Sequence, residues 1–471
     1  MLVAVLVFAS VTTQFSLDVV DAIKLGLGNN GNVVTALLSR SLAERDVTRI
    51  ESTYNATFDA MTGFNRYDSS IDPRLRASDT RTLTTTAGLS GRLLMGLQYQ
   101  ITTDYNYELI EGGLPKGTNH IGLSGNLRQQ LIRNGYGQNA TILESVRESA
   151  NAARDASNDV AQSIASFIAD NYWMLARDRA LVDIAQRSRA FAEQQLTETR
   201  RLIALGLRAP SESLQIEAAL AERNAMVEIA RSQVAMSESR LLQQLALPQN
   251  SAAWASSELV TSMQDPYAGL ELTPEELVQS AEQHQPRLHQ LAVQVEAARK
   301  RLDSATIGTK PALFIDGQWR AQRYIANDLP DGLRELPLSA YIGMGFSQPL
   351  GTTIYDVDRQ IAELTMRQAD ATLAQALAEL LASARQIAGV IAAYRVALEH
   401  RKASLTASEA ARAAAERSFS VGFGTIFEVL RLQEVCIQQE AAYTSLGFDL
   451  RRARWSAARI GGLLGSLTDA E

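Results

Sequence analysis

The chain states one motif twice, and that repetition limits what it can fold into. Arg201, Gly206, Glu212 and Leu214 recur as Arg417, Gly422, Glu428 and Leu430, all at one offset of 216 (417 − 201, 422 − 206, 428 − 212, 430 − 214). Both copies interrupt long Ala-rich stretches of helical character. Each is therefore a helix–turn–helix corner, and a corner built twice points to an assembly of repeats rather than to one catalytic centre.

Composition narrows the class further. A chain of 471 residues suggests about three domains by length alone. No Pro/Gly/Ser linker divides it, so it reads as one elongated body of two halves. The net charge of −7 is spread over interspersed charges of both signs. A nucleic-acid binder needs basic clusters instead. His120, His284, His289 and His400 are scattered without metal-ligand spacing. Cys436 is the only cysteine, so no internal disulfide or cysteine zinc site forms. In mid-helix it reads as a small apolar packing residue. There is no Walker-type phosphate loop, nucleophile elbow or metal cluster, so neither an enzyme nor a cofactor is expected.

The apolar run from Leu2 to Ala9 resembles the core of a signal peptide, although a basic n-region is missing. Residues 1–15 are expected to be a signal-peptide remnant; a first strand or helix is the alternative. No Cys follows the run, so a lipid-anchored N-terminus is not expected. No later stretch reaches the roughly 18–20 apolar residues of a spanning helix. Either the protein is soluble, or it crosses a membrane as strands.

Strands are legible. From Leu97 to Leu109 one face carries Leu97, Tyr99, Ile101, Thr103, Tyr105, Tyr107 and Leu109. The other carries Gln98, Gln100, Thr102, Asp104, Asn106 and Glu108. Successive strand side chains point to opposite faces, so this is an apolar-out, polar-in ribbon. It exceeds the about 9–11 residues a tilted membrane strand needs. Similar alternation runs through Ile121–Leu131, Leu313–Gln322 and Leu338–Phe346, and more weakly through Phe58–Phe64 and Thr85–Leu93. Four strands are predicted in the first half (near 55–68, 82–94, 96–110 and 119–132) and two in the second (near 312–325 and 336–350). Long links at 68–81 and 111–119 alternate with a tight turn at Leu94, Met95 and Gly96, as in outer-membrane barrels.

The remaining length is helical. Residues from about 140 to 203 hold no Pro or Gly, a rod of roughly 95 Å at about 1.5 Å per residue. Residues from about 354 to 420 are similar. There Leu373, Leu377, Leu380, Ala384, Ile387, Ile391, Tyr394 and Leu398 step by four and three, a heptad seam. The earlier rod carries Ile164, Ile168, Tyr172, Leu175 and Val182. Partner helices are predicted over about 210–247 and 424–460, with Pro210 at a first helical position. A second echo, Leu17–Val33 against Leu272–Leu288, has an offset of 255 (288 − 33). The excess length of 39 (255 − 216) lies in the first half, where the two additional strands are.

On these features the chain resembles the TolC-like outer-membrane efflux protein family over about Leu17 to Leu464. The resemblance rests on the duplicated turns followed by Glu-x-Leu. It rests also on the strand exit Leu127-Arg-Gln-Gln-Leu131 continuing to Gly135, and on its counterpart from Phe346 to Leu350. It implies an α+β membrane protein. A long antiparallel α-helical coiled-coil barrel joins transmembrane β-barrel strands, with two structural repeats per chain, closed by trimerisation. The repeats are expected at 16–247 and 273–471, about an equatorial linker at 248–272. The family pattern is four strands per chain. Here the extra hairpin either joins the barrel, making eighteen strands per trimer, or forms an extended extracellular loop over 69–118 above twelve.

The implied role is a passive outer-membrane exit duct of a Gram-negative bacterium, with a long periplasmic portion, serving a tripartite efflux or type I secretion system. The implied partners are a periplasmic adaptor (membrane fusion) protein and an inner-membrane pump of RND, ABC or MFS class. The alternative is a soluble periplasmic coiled-coil scaffold or adaptor. By motif match, Leu205, Gly206, Leu207, Val421, Gly422 and Phe423 are the adaptor-contact turns, unless the glycines serve only as helix caps. Some family members carry two acids where this chain has Glu428 and Arg431. With Glu212 these are the candidate periplasmic gate: alternating Glu428 and Arg431 rings in a trimer, or a simple i,i+3 pair. Asp104, Glu108, Arg128, Asp316 and Arg320 are the candidate lumen-lining residues.

Overall fold

The computed structural model describes residues 15–69, 78–111, 117–133, 137–247, 259–325, 338–348, 350–351 and 353–468. The expected signal-peptide remnant falls almost wholly outside the described residues; Phe15 already opens strand β1 (Phe15–Leu17). Helices α1 (Val19–Asn29) and α2 (Gly31–Ser52) follow. Four strands come next: β2 (Thr57–Ser69), β3 (Ser78–Arg92), β4 (Leu97–Glu111) and β5 (Gly117–Gln130). The long helices α3 (Gln138–Ala204) and α4 (Pro210–Leu245) complete the first half. The second half runs β6 (Leu259–Thr261), α5 (Pro274–His284), α6 (Pro286–Gly308), β7 (Ala312–Ile325) and β8 (Leu338–Ser347). It ends with α7 (Ile354–Ser420), α8 (Ile426–Ile460) and α9 (Gly465–Thr468).

The sequence repeat is written into these boundaries. Helices α1 and α5 keep the offset of 255 at both ends (274 − 19, 284 − 29). Helices α3 and α7 keep the offset of 216 at both ends (354 − 138, 420 − 204). Helix starts follow local chemistry. Thr273 and Glu276 form a reciprocal capping box before α5, with Pro274 at its first position. Thr353 and Asp356 exchange bonds in the same way at the start of α7. Such caps satisfy amides that the first turn leaves without partners.

Two compact units cut across the repeats: residues 1–39, 154–290 and 374–471 in one, and 40–153 and 291–373 in the other. The first is helical. Its largest core surrounds Tyr172 and Trp173 of α3 and Trp455 of α8, all 1% exposed or less. The Tyr172 hydroxyl lies 2.8 Å from the carbonyls of both Leu17 and Ser262, fastening the parallel β1–β6 pair to α3. Burial pushes that phenol well above its ordinary pKa, so it stays protonated and able to donate. A second core closes the heptad seam. Leu380, Ala384 and Ile391 of α7 pack on Leu450, Ala453 and Ala457 of α8, and Leu277 of α5 joins them. Leu377 is exposed and Ile387, Tyr394 and Leu398 are half-buried, so the seam is fully closed only at Leu380, Ala384 and Ile391.

Against the sequence reading, α7 contains a window apolar enough for a membrane span, with a mean hydropathy of 1.4, although only 22% of it is buried. The stretch is alanine-rich, and a mean tolerates isolated charges that break a continuous apolar run.

The second unit holds one antiparallel sheet of order β2-β3-β4-β5-β7-β8. The tight turn between β3 and β4 closes with Leu93 N–H on the Leu97 carbonyl (2.7 Å) and Gly96 at φ 83°. Cross-strand register fixes the faces. One row reads Phe58, Leu89, Ile101, Gly125, Trp319, Ala340, and its neighbour on the opposite face reads Asp59, Gly88, Thr102, Ser124, Arg320, Ser339. Where glycine interrupts the apolar row, the Trp319 indole lies across Gly125 and covers the gap.

Candidate functional site

Helix α3 ends where Gly206 adopts φ 73°, and α7 where Gly422 adopts 88°. Leu207 N–H reaches back to the Leu202 carbonyl and Gly206 N–H to Ile203, both at 2.9 Å. Phe423 N–H bonds Ser418 (2.9 Å) and Gly422 N–H bonds Phe419 (3.1 Å) in the same pattern. These paired bonds are the Schellman cap, which needs a left-handed residue that glycine supplies without a Cβ penalty. The glycines are thus helix caps. The side chains they leave outside are Leu205, Leu207, Val421 and Phe423, between 61% and 93% exposed. Leu214 and Phe427, in the first turns of α4 and α8, are exposed beside them in sequence. An apolar rim of this kind marks a surface suited to a partner.

The copies diverge one residue past the turn. Gly424 stands in the second, where a Cβ would lie 2.9 Å from the Phe419 backbone nitrogen; that turn folds tightly on its own helix. Arg208 stands in the first and reaches out of it. Its Nη2 donates to the Phe419 carbonyl (2.9 Å), and its guanidinium lies 4.2 Å above the Phe419 ring. Ile216, Phe419, Ile426 and Val429 form the buried cluster joining the two corners. Further along, buried Arg223 of α4 pairs with Glu434 of α8, and Arg187 of α3 pairs with Glu440 (2.8 Å).

The gate residues separate on this difference. Glu212 lies 3.9 Å from Arg208 Nη1 and is largely buried. Its counterpart Glu428 has glycine four residues earlier, so no arginine covers it, and it is exposed. Its amide is capped by Thr425 Oγ1 (3.3 Å). Arg431 is exposed too. The i,i+3 pair considered from sequence is absent: no ion pair involves Glu428 or Arg431 among the described residues. Arg208 was not foreseen as a functional residue. Its signal was an arginine where the other copy has glycine.

In the sheet, the five polar-face candidates occupy one face, with Asp104, Asn126, Gln318 and Arg320 around a hollow of about 720 Å³. Arg128 and Asp316 neutralise each other through two bonds (2.6 and 3.0 Å), and the guanidinium also lies over the Phe314 ring. Asp104 lies 3.1 Å from His120 Nδ1, and His120 Nε2 lies 3.0 Å from Gln322. His120, unremarkable in sequence, is therefore part of this face. Glu108 is half-buried and Arg320 exposed. No group of His, Cys, Asp or Glu suited to a metal occurs among the described residues. The opposite face carries its charges near one end, where Arg66 and Arg81 flank Asp79. From Leu97 to Tyr107 its apolar height is about 26 Å for a strand tilted about 40°, close to the roughly 25 Å band of membrane barrels.

No family model and no curated protein matches the chain. Solved structures do match its fold. The channel CusC aligns over 97% of this chain and 95% of its own, with a TM-score of 0.68 at 13% identity. The outer membrane protein VceC of Vibrio cholerae aligns over 94% and 96%, at 0.66 and 15%. The CmeC outer membrane channel of Campylobacter jejuni aligns over 96% and 87%, at 0.67 and 13%. The chain has the fold of these channels, which is the fold implied by the TolC-like resemblance.

Proposed function

We propose that three copies of this chain form an outer-membrane exit duct of a tripartite efflux or type I secretion system in a Gram-negative bacterium. Substrate moves passively, and an inner-membrane pump of RND, ABC or MFS class supplies the free energy. The observation that carries this reading is the two-faced sheet, apolar on one side and polar on the other, with both edges open among the described residues. In lipid such edges must be paired, because backbone groups find no water there. Asp104, Glu108, Arg128, Asp316 and Arg320 then line a wet lumen. Exposed Ile354, Val357, Ile361 and Leu364 recur on one stripe of α7 and offer a seam to a neighbouring copy. The sequence repeats 16–247 and 273–471 serve as the two halves of each subunit.

At the paired turns, a periplasmic adaptor protein docks on Leu205, Leu207, Val421 and Phe423. Exposed Glu428 and Arg431 of neighbouring copies alternate and hold the mouth closed, while Glu212 is reserved for Arg208. Cell fractionation tests the duct: detergent-dependent extraction from outer membranes, with heat-resistant trimers, is expected. Recovery in the soluble periplasmic fraction would leave the coiled-coil scaffold reading instead. For the gate, Arg431→Ala should raise open probability in planar bilayers; unchanged closure removes Arg431 from the mechanism.

A further inference from the structure

We infer that the β3–β4 hairpin is an insertion that widens the mouth, so that three copies close an eighteen-stranded barrel rather than a twelve-stranded one. This rests on the duct reading above. Three observations carry it.

The first is the repeat. Strand β7 begins at the 255 offset from β2 (312 − 57), and β8 ends at an offset of 217 from β5 (347 − 130), one away from 216. Strands β2 and β5 are therefore the counterparts of β7 and β8, and β3–β4 has none. The segment from Ser78 to the residue before Gly117 has a length of 39 (117 − 78), which is the whole difference between the two offsets.

The second is integration. The hairpin is paired on both sides, from Thr57↔Ser90 to Ser69↔Ser78 with β2 and from Leu97↔Gln129 to Leu109↔Gly117 with β5. The two faces continue through it, Leu89 and Ile101 between Phe58 and Gly125 on one and Gly88 and Thr102 between Asp59 and Ser124 on the other, so it is wall rather than a loop above the wall.

The third is closure. Every neighbouring pair in the sheet is antiparallel. With six strands, β8 of one copy runs antiparallel to β2 of the next, so the two unlike edges join without a parallel mismatch. Inserting strands in pairs preserves this.

The geometry sets the size. For strands about 4.8 Å apart and tilted about 40°, the backbone radius is about 18 Å with eighteen strands and about 12 Å with twelve. Allowing about 5 Å for the inner side-chain layer leaves a bore of about 26 Å against about 14 Å. The wider mouth clears hydrated cargo bulkier than an α-helix, about 10–12 Å across with its side chains; the narrower one barely admits a bare helix.

The test is a distance that ignores any gate. A nitroxide is placed at Leu123→Cys, on the exposed apolar face of β5, in a full-length Cys436→Ser background. Equivalent wall positions in a trimer should lie about 31 Å apart with eighteen strands and about 21 Å with twelve, before the same label offset is added to both. Trimer mass is measured on the same sample. Trimers at the longer distance support the inference. Trimers at the shorter distance overturn it and leave the duct intact, whereas absence of trimers overturns the duct as well. A variant lacking residues 78–116 should shorten the distance by about 10 Å. An unchanged distance in trimers of that variant would also refute the hairpin's place in the wall. If the variant does not assemble, the full-length distance decides alone.

Discussion

Removing the Arg208 side chain should uncouple the two turns. Its guanidinium bridges the corners at the turns themselves, ahead of the Arg223–Glu434 and Arg187–Glu440 pairs further along the helices, and its side chain is only 16% exposed. A charged donor on a carbonyl contributes about 1.5–3 kcal/mol. A partly desolvated guanidinium over an aromatic ring contributes about 0.5–2 kcal/mol. One group makes both contacts, so the two do not add, and Arg208→Ala should weaken the contact by about 2–3 kcal/mol. At about 1.4 kcal/mol per tenfold, separation of the corners becomes roughly 30- to 140-fold more frequent. Hydrogen exchange reads this directly: amides in the first turns of α4, next to Glu212 and Ile216, should exchange faster by that factor. Arg208→Lys keeps the charge but loses the planar stack and should recover only part of the protection. Unchanged exchange in Arg208→Ala would show that the Ile216–Phe419 cluster alone holds the corners, and the bridging argument would fail.

Three further outcomes are expected. Gly422→Ala, at φ 88°, should cost about 1–2 kcal/mol, seen as earlier thermal loss of α7 helicity; no change would mean the turn relaxes to another cap. Ile216→Ala, at a fully buried site, should cost about 2–5 kcal/mol; a loss under about 1 kcal/mol in denaturant titration would contradict the packing described. Asp159 of α3 has its pKa raised by burial, against the opposing pull of Arg459 and Arg287. Its native form holds the proton more tightly than the unfolded chain. The penalty is therefore absent below the unfolded pKa, grows with rising pH, and is complete above the native pKa. Asp159→Asn should thus raise the melting temperature at pH 7 and lose that advantage at pH 3; equal shifts at both pH values would refute the assignment.

What the sequence determined is what short-range periodicity encodes. The alternation of Leu97–Leu109 marked a two-faced strand, because a period of two leaves no choice of face. The steps from Leu380 to Ile391 marked a buried seam, because residues three and four apart share a helix face. Glycines 206 and 422 marked the turns, because glycine interrupts the long helical runs there; that they are helix caps came from the structure. The difference between the two offsets even located the surplus hairpin. None of these signals carries pairing between distant positions. Only the tertiary structure joined β5 to β7, and with it Arg128 to Asp316, far apart in the chain. Only it sent Arg208 across to Phe419. The duplicated acids look equivalent in sequence, yet Glu212 is covered and Glu428 is free. A single side chain four residues earlier, arginine in one copy and glycine in the other, decides the difference once the corners are packed together.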